Sequence, residues 1–93
     1  MDPVSWLVIE PGWRVVDRDG KEIGKVEELV GDTGKDIFNG LAVSSGLLRK
    51  PKYVPAERVA RIVEGEVRLD IPDVALEHLE DHEQQPPSAQ FRP

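Results

Sequence analysis

From Trp13 onward the apolar positions come in short runs separated by turn-forming pairs, a rhythm that predicts strands. Arg14-Val15-Val16-Asp17 is β-prone, and Asp19-Gly20 is the dipeptide favoured where a tight hairpin needs positive φ. In Glu22 to Val30, the spacing of Ile23, Val26 and Leu29 by three would also suit a helix, but Gly24 lies inside the run and turn signals crowd both ends. The segment is therefore read as a strand, with Gly24 marking a bulge or a close backbone approach. Asp32-Thr33-Gly34 makes the next turn, and Ile37 to Ser44 the next strand, interrupted by Asn39-Gly40.

Leu47-Leu48-Arg49 and Tyr53-Val54 flank Pro51, which cannot donate to a ladder and so indicates an edge or a bend. Val59 to Val63, the turn Glu64-Gly65, and Glu66 to Asp70 with Val67, Leu69 and Ile71 form the cleanest hairpin in the chain. Pro72-Asp73 opens a short helix carrying Val74, Leu76 and Leu79, with proline in the first turn. Ahead of all this, the apolar run Val4 to Ile9 reads as a buried or edge strand, since it has no basic leader and is much too short to span a bilayer. The expected division is an N-terminal apolar segment over 1–12, a barrel-like domain over 13–71, a short helix over 72–83 and a disordered tail over 84–93.

This succession resembles a known family. Val15-Val16-Asp17-Arg18-Asp19-Gly20-Lys21-Glu22-Ile23-Gly24-Lys25-Val26-Glu27-Glu28-Leu29, the Asp32-Thr33-Gly34 turn, Leu41-Ala42-Val43, Tyr53-Val54-Pro55-Ala56-Glu57-Arg58-Val59 and Glu66-Val67-Arg68-Leu69 are together similar to the PRC-barrel domains. Those domains include the cytoplasmic part of the photosynthetic reaction-centre H subunit and the C-terminal half of a bacterial ribosome-maturation factor. The resemblance implies a small all-β barrel of short antiparallel strands with one short C-terminal helix. It also implies a bacterial or archaeal adaptor in larger assemblies, with no shared active site.

Composition narrows the chemistry. A chain of 93 residues with no cysteine has neither a disulfide framework nor a thiolate metal site, and its composition fits a reducing cytoplasm. So small a core gains from self-association. The net charge of −6 argues against non-specific binding to nucleic acid or anionic lipid. Charge is uneven, though: between Gly46 and Ile62 there are Arg49, Lys50, Lys52, Arg58 and Arg61 against Glu57, while between Val63 and Glu83 eight acids face Arg68 alone. Either the acidic end lies across the basic segment or the two form separate faces.

The candidate sites each have a plainer alternative. Asp17, Asp19 and Glu28 fall at positions one, three and twelve of a calcium loop, but Lys21 takes position five and the glycine comes at position four, so an acidic hairpin end explains them better. His78 and His82 would share a helix face near Glu77 and Asp81, yet Leu79 stands where a zinc-protease motif needs glutamate, and a helix-borne pair has too few ligands. Ser44-Ser45-Gly46 lacks the spacing of a phosphate loop or a nucleophile elbow and reads as a polar turn.

Leu47 to Tyr53 mixes cations with apolar and aromatic groups, as surfaces for acidic or RNA partners do, although a charged strand edge gives the same pattern. Trp6 and Trp13 either cap the end of the barrel or pack between two copies. The expected function is a non-enzymatic, self-associating cytoplasmic adaptor without cofactor or metal, contacting a protein partner or a second copy through Trp6, Trp13, Arg49, Lys52 and Tyr53. The alternatives are an RNA- or ribosome-associated factor using the basic segment 49–61, and a small-molecule or metal-binding protein.

Overall fold

The computed structural model describes residues 4–32, 34–35, 37–46 and 50–81. Six strands, β1 (Arg14–Val16), β2 (Glu22–Asp32), β3 (Ile37–Ser44), β4 (Lys52–Pro55), β5 (Val59–Val63) and β6 (Glu66–Leu69), form one sheet in the order β4-β3-β2-β1-β6-β5. One helical turn, α1 (Asp73–Leu76), follows. The sheet curls into a half-barrel, and the all-β fold expected from the sequence is the fold observed. Two details depart from a closed, wholly antiparallel barrel: β1 pairs with β6 in parallel, and β4 and β5 end the ladder as its two edges, linked through a 3₁₀ turn at Ala56–Arg58.

The hairpins follow from local chemistry. At the β1–β2 turn Gly20 has φ +89 and Asp17 is buried; the Asp17 Oδ1 accepts the Asp19 and Lys21 amides, each at 2.9 Å. Gly65, at φ +83, makes the corresponding turn between β5 and β6. In the β2–β3 turn Asp32 Oδ1 accepts the amides of Gly34 at 2.9 Å and Lys35 at 3.2 Å.

Bulges explain the helix-like spacing in β2. Ile23 is the extra residue opposite Val15 and Val16, and Glu27 is the extra residue between Val26 and Glu28. Each insertion shifts the two-residue alternation by one, so Ile23, Val26 and Leu29 all reach the core although they lie three apart. Gly24 is a close-approach point as well: a Cβ there would run into the Ser44 carbonyl oxygen and the Val43 side chain. Asn39 is a further bulge residue and does not interrupt β3.

Val15, Leu41, Val43, Val54, Val67 and Leu69 are fully buried inside the curl, with Ile9 and Leu76 closing it. Truncating Leu41 or Leu69 to alanine costs about 2–5 kcal/mol by loss of transfer energy and creation of a cavity.

Both ends of the described chain differ from expectation. The run Val4 to Ile9 is not a strand: Ser5 caps a 3₁₀ turn at Trp6–Val8, its Oγ accepting the Leu7 amide at 3.2 Å. Only Val4 behaves as an edge partner, donating its amide to the Ile62 carbonyl of β5 at 2.8 Å. The helix expected to reach residue 83 stops at Leu76. Its turns close three residues apart (Ala75 to Pro72, His78 to Ala75, Leu79 to Leu76), and the chain then returns to β4, where Tyr53 donates its amide to Glu80 at 2.8 Å. A four-residue helix without a side-chain cap loses to a sheet edge that offers backbone partners. The tail expected over 84–93 lies outside the described residues.

Candidate functional site

A groove of about 630 Å³ lies between α1, the start of β2 and the end of β3. Its walls arise from the features that shape the sheet. Gly24 brings β2 against Ser44, Pro72 turns the chain out of β6, and buried Leu76 anchors α1 to the core. Ile23 lies along the groove, and Val74 stands on its rim, 64% exposed. The Lys21 ammonium and the Asp73 carboxylate meet at 2.7 Å across the rim. That hydrogen bond raises the Lys21 pKa and lowers that of Asp73. Glu22, Lys25 and Glu77 add charges of both signs. The arrangement is an apolar floor with a rim of mixed charge.

Ser44 and Ser45 line this groove, with no histidine among the lining residues. Among the described residues there is no group of three or more His, Cys, Asp or Glu side chains that could hold a metal ion. His78 lies past the end of α1, and His82 is outside the described residues. Asp17 spends its carboxylate on backbone amides of its own turn.

The residues singled out from the sequence lie elsewhere. Trp6 stacks on Phe38 with ring centroids 5.1 Å apart and planes 11° from parallel, and Trp13 packs half-buried against the core. Turning Trp6 inward leaves Leu7 and Val8 outward, each 48% exposed. Lys52 Nζ binds Asp81 Oδ1 at 2.6 Å, and its hydrogen bond lowers the Asp81 pKa. Tyr53 lies across Gly40, where a Cβ would strike its ring, and its hydroxyl donates to the Asn39 carbonyl at 2.8 Å. Burial, with Glu57 adding to it, raises the Tyr53 pKa. Arg49 is outside the described residues.

Val74 and Ile23 escaped notice as site residues because, read locally, each is one apolar position in an amphipathic element. Only the packing of α1 beside β2 turns them into one surface. The sequence left open whether the acidic end lies across the basic segment or forms a separate face; in the structure the two meet at Lys52–Asp81 and, more loosely, at Arg58–Asp70, 3.9 Å apart.

No helix among the described residues is long and apolar enough to cross a membrane. Comparison with curated proteins gives no significant match. A family model, the PRC-barrel domain, matches residues 12–76, from the glycine before β1 to the last residue of α1. With most of its length under that match, and with a curled sheet of short strands closed by one helical turn, the chain belongs to the PRC-barrel family.

Proposed function

We propose that this PRC barrel, a protein-interaction type of domain, is a non-catalytic adaptor that seats an apolar segment of a partner protein in the groove between α1, the start of β2 and the end of β3. The supporting observation is Val74, an aliphatic side chain left on the rim of an apolar-floored groove whose wall is pinned by Lys21 and Asp73. Burial of the floor supplies the affinity, and the rim charges select orientation. In affinity capture with mass spectrometry, Val74→Asp should lose a defined partner that the unaltered chain retains, at equal melting temperature. Identical capture by both would sink the reading.

Self-association is supported by a different observation, the adjacent exposed Leu7 and Val8. Sedimentation at micromolar concentration should show a dimer, converted to monomer by Leu7→Glu. A monomer in the unaltered chain ends that proposal. The RNA-binding reading has less support, because Lys52 and Arg58 already face Asp81 and Asp70. The cytoplasmic assignment rests on the lack of cysteine.

A further inference from the structure

Asn39 is the chain's only asparagine, and the residue after it is glycine. In that dipeptide the asparagine side chain cyclises most readily, because no Cβ on the second residue shields its backbone nitrogen. Here the glycine is a demand of the fold. A Cβ at Gly40 would strike the Val54 carbonyl oxygen and the ring and hydroxyl of Tyr53, so the packing of β4 on β3 leaves no room for a side chain. Asn39 itself is exposed, a bulge residue outside the regular pairing of β3 with β2.

Cyclisation makes one bond and breaks another. The Gly40 nitrogen gives up its proton to solvent base and bonds to Asn39 Cγ, and the side-chain nitrogen takes up a proton and leaves as ammonia. Water then opens the resulting succinimide at either carbonyl, to aspartate or to isoaspartate. For the nitrogen to reach Cγ, the peptide between the two residues must rotate well away from the extended geometry of a strand. Two contacts oppose that rotation. Gly40 is in register with Val30 on one side and Pro55 on the other. The Tyr53 hydroxyl donates to the Asn39 carbonyl at 2.8 Å, and that oxygen swings with the same rigid peptide plane.

We propose that Asn39 is a site of spontaneous deamidation guarded by Tyr53, whose hydroxyl acts as a clamp and whose local opening sets the rate. The packing that forces glycine after Asn39 creates a chemical liability, and the hydroxyl of the same tyrosine suppresses it. Reaction adds a negative charge close to Tyr53. The isoaspartyl product also puts an extra methylene into the β3 backbone next to Phe38, the residue on which Trp6 stacks. This site shares no residue with the groove beside α1 and stands or falls separately from it.

The test incubates the full chain at mildly alkaline pH and follows the aspartyl and isoaspartyl forms of the peptide bearing Asn39 by mass spectrometry. Burial raises the Tyr53 pKa, so the clamp keeps its proton under these conditions. The folded chain is expected to react much more slowly than the same chain unfolded in urea. Tyr53→Phe, which keeps the ring over Gly40 and removes only the hydroxyl, should react about fivefold faster than the unaltered chain. In urea below the unfolding transition the rate should stay flat, since a local opening exposes little surface. The proposal is overturned if the folded chain reacts as fast as the unfolded one, if folded Tyr53→Phe reacts at the unaltered rate, or if the rate follows the globally unfolded fraction as urea rises. The urea series needs only the unaltered chain, so it can refute the proposal even where Tyr53→Phe fails to fold.

Discussion

Lys52 and Asp81 are joined twice, by a side-chain contact of 2.6 Å and by a backbone bridge that lays the acidic end of the described chain along β4. At the opposite edge of the sheet, the Val4 amide occupies the Ile62 carbonyl of β5. Each sheet edge thus carries a contact from the nearby end of the described chain. Such contacts blunt the open ladder against strand-to-strand association, so partner docking is better sought on grooves than on strand edges.

The β4 latch should be acid-sensitive. Asp81 has its pKa lowered from the ordinary 3.8 by the Lys52 hydrogen bond. A lowered acid contributes stability above its unfolded value and loses it as pH falls through the folded one. Protection of the Tyr53 amide against hydrogen exchange is expected to fall below pH 3.8, and to fall at neutral pH in Asp81→Asn. Unchanged protection in that variant would mean that the backbone bridge holds without the ion pair.

The Lys21–Asp73 pair should act over a wide window with small amplitude. Asp73, lowered from 3.8, contributes above that value and loses its contribution as pH falls further; Lys21, raised from 10.5, contributes below 10.5 and loses its contribution as pH climbs through the raised folded value. The pair is exposed and screened, so Asp73→Asn is expected to leave the melting temperature nearly unchanged in 0.5 M salt while speeding exchange of the α1 amides. A large fall in melting temperature at high salt would contradict this.

Asp17 matters to the fold in a way the exposed acids do not. Its buried carboxylate satisfies two amides of the β1–β2 turn. Asp17→Ala removes the single oxygen that accepts both amides and should cost about 2–3 kcal/mol in urea unfolding, with Asp17→Asn costing about half as much. A loss below about 0.5 kcal/mol would show that water replaces the carboxylate freely.

Gly24 and Gly46 make a matched pair of substitutions. A Cβ at Gly24 meets the Ser44 carbonyl and Val43, whereas at Gly46 it meets nothing within 4 Å among the described residues. Gly24→Ala should destabilise by about 1–3 kcal/mol through forced separation of β2 and β3. Gly46→Ala should be neutral or slightly stabilising by restricting the unfolded chain. Equal melting temperatures for the two variants would contradict the close approach.

Much of the fold was legible because it is encoded locally. Asp19-Gly20 and Glu64-Gly65 mark turns whose glycines need positive φ, a requirement readable from two residues. The three-residue spacing of Ile23, Val26 and Leu29 was harder, because bulges shift the alternation and mimic a helix; Gly24 decided it correctly. The Val4–Ile9 run misled because apolar residues with a serine in front suit a capped 3₁₀ turn as well as a strand.

By itself the chain determined its turns, its strand segments, the glycine where β2 meets β3, and its family likeness, since each depends on neighbours a few residues apart. Only the tertiary structure decided the parallel contact of β1 with β6, the return of Asp81 to Lys52, the meeting of Val74 with Ile23, and the laying of Tyr53 across Asn39 and Gly40. These unite residues far apart along the chain. Their pairing depends on which edges and faces remain open once the hairpins have closed, and no short window of sequence carries that information.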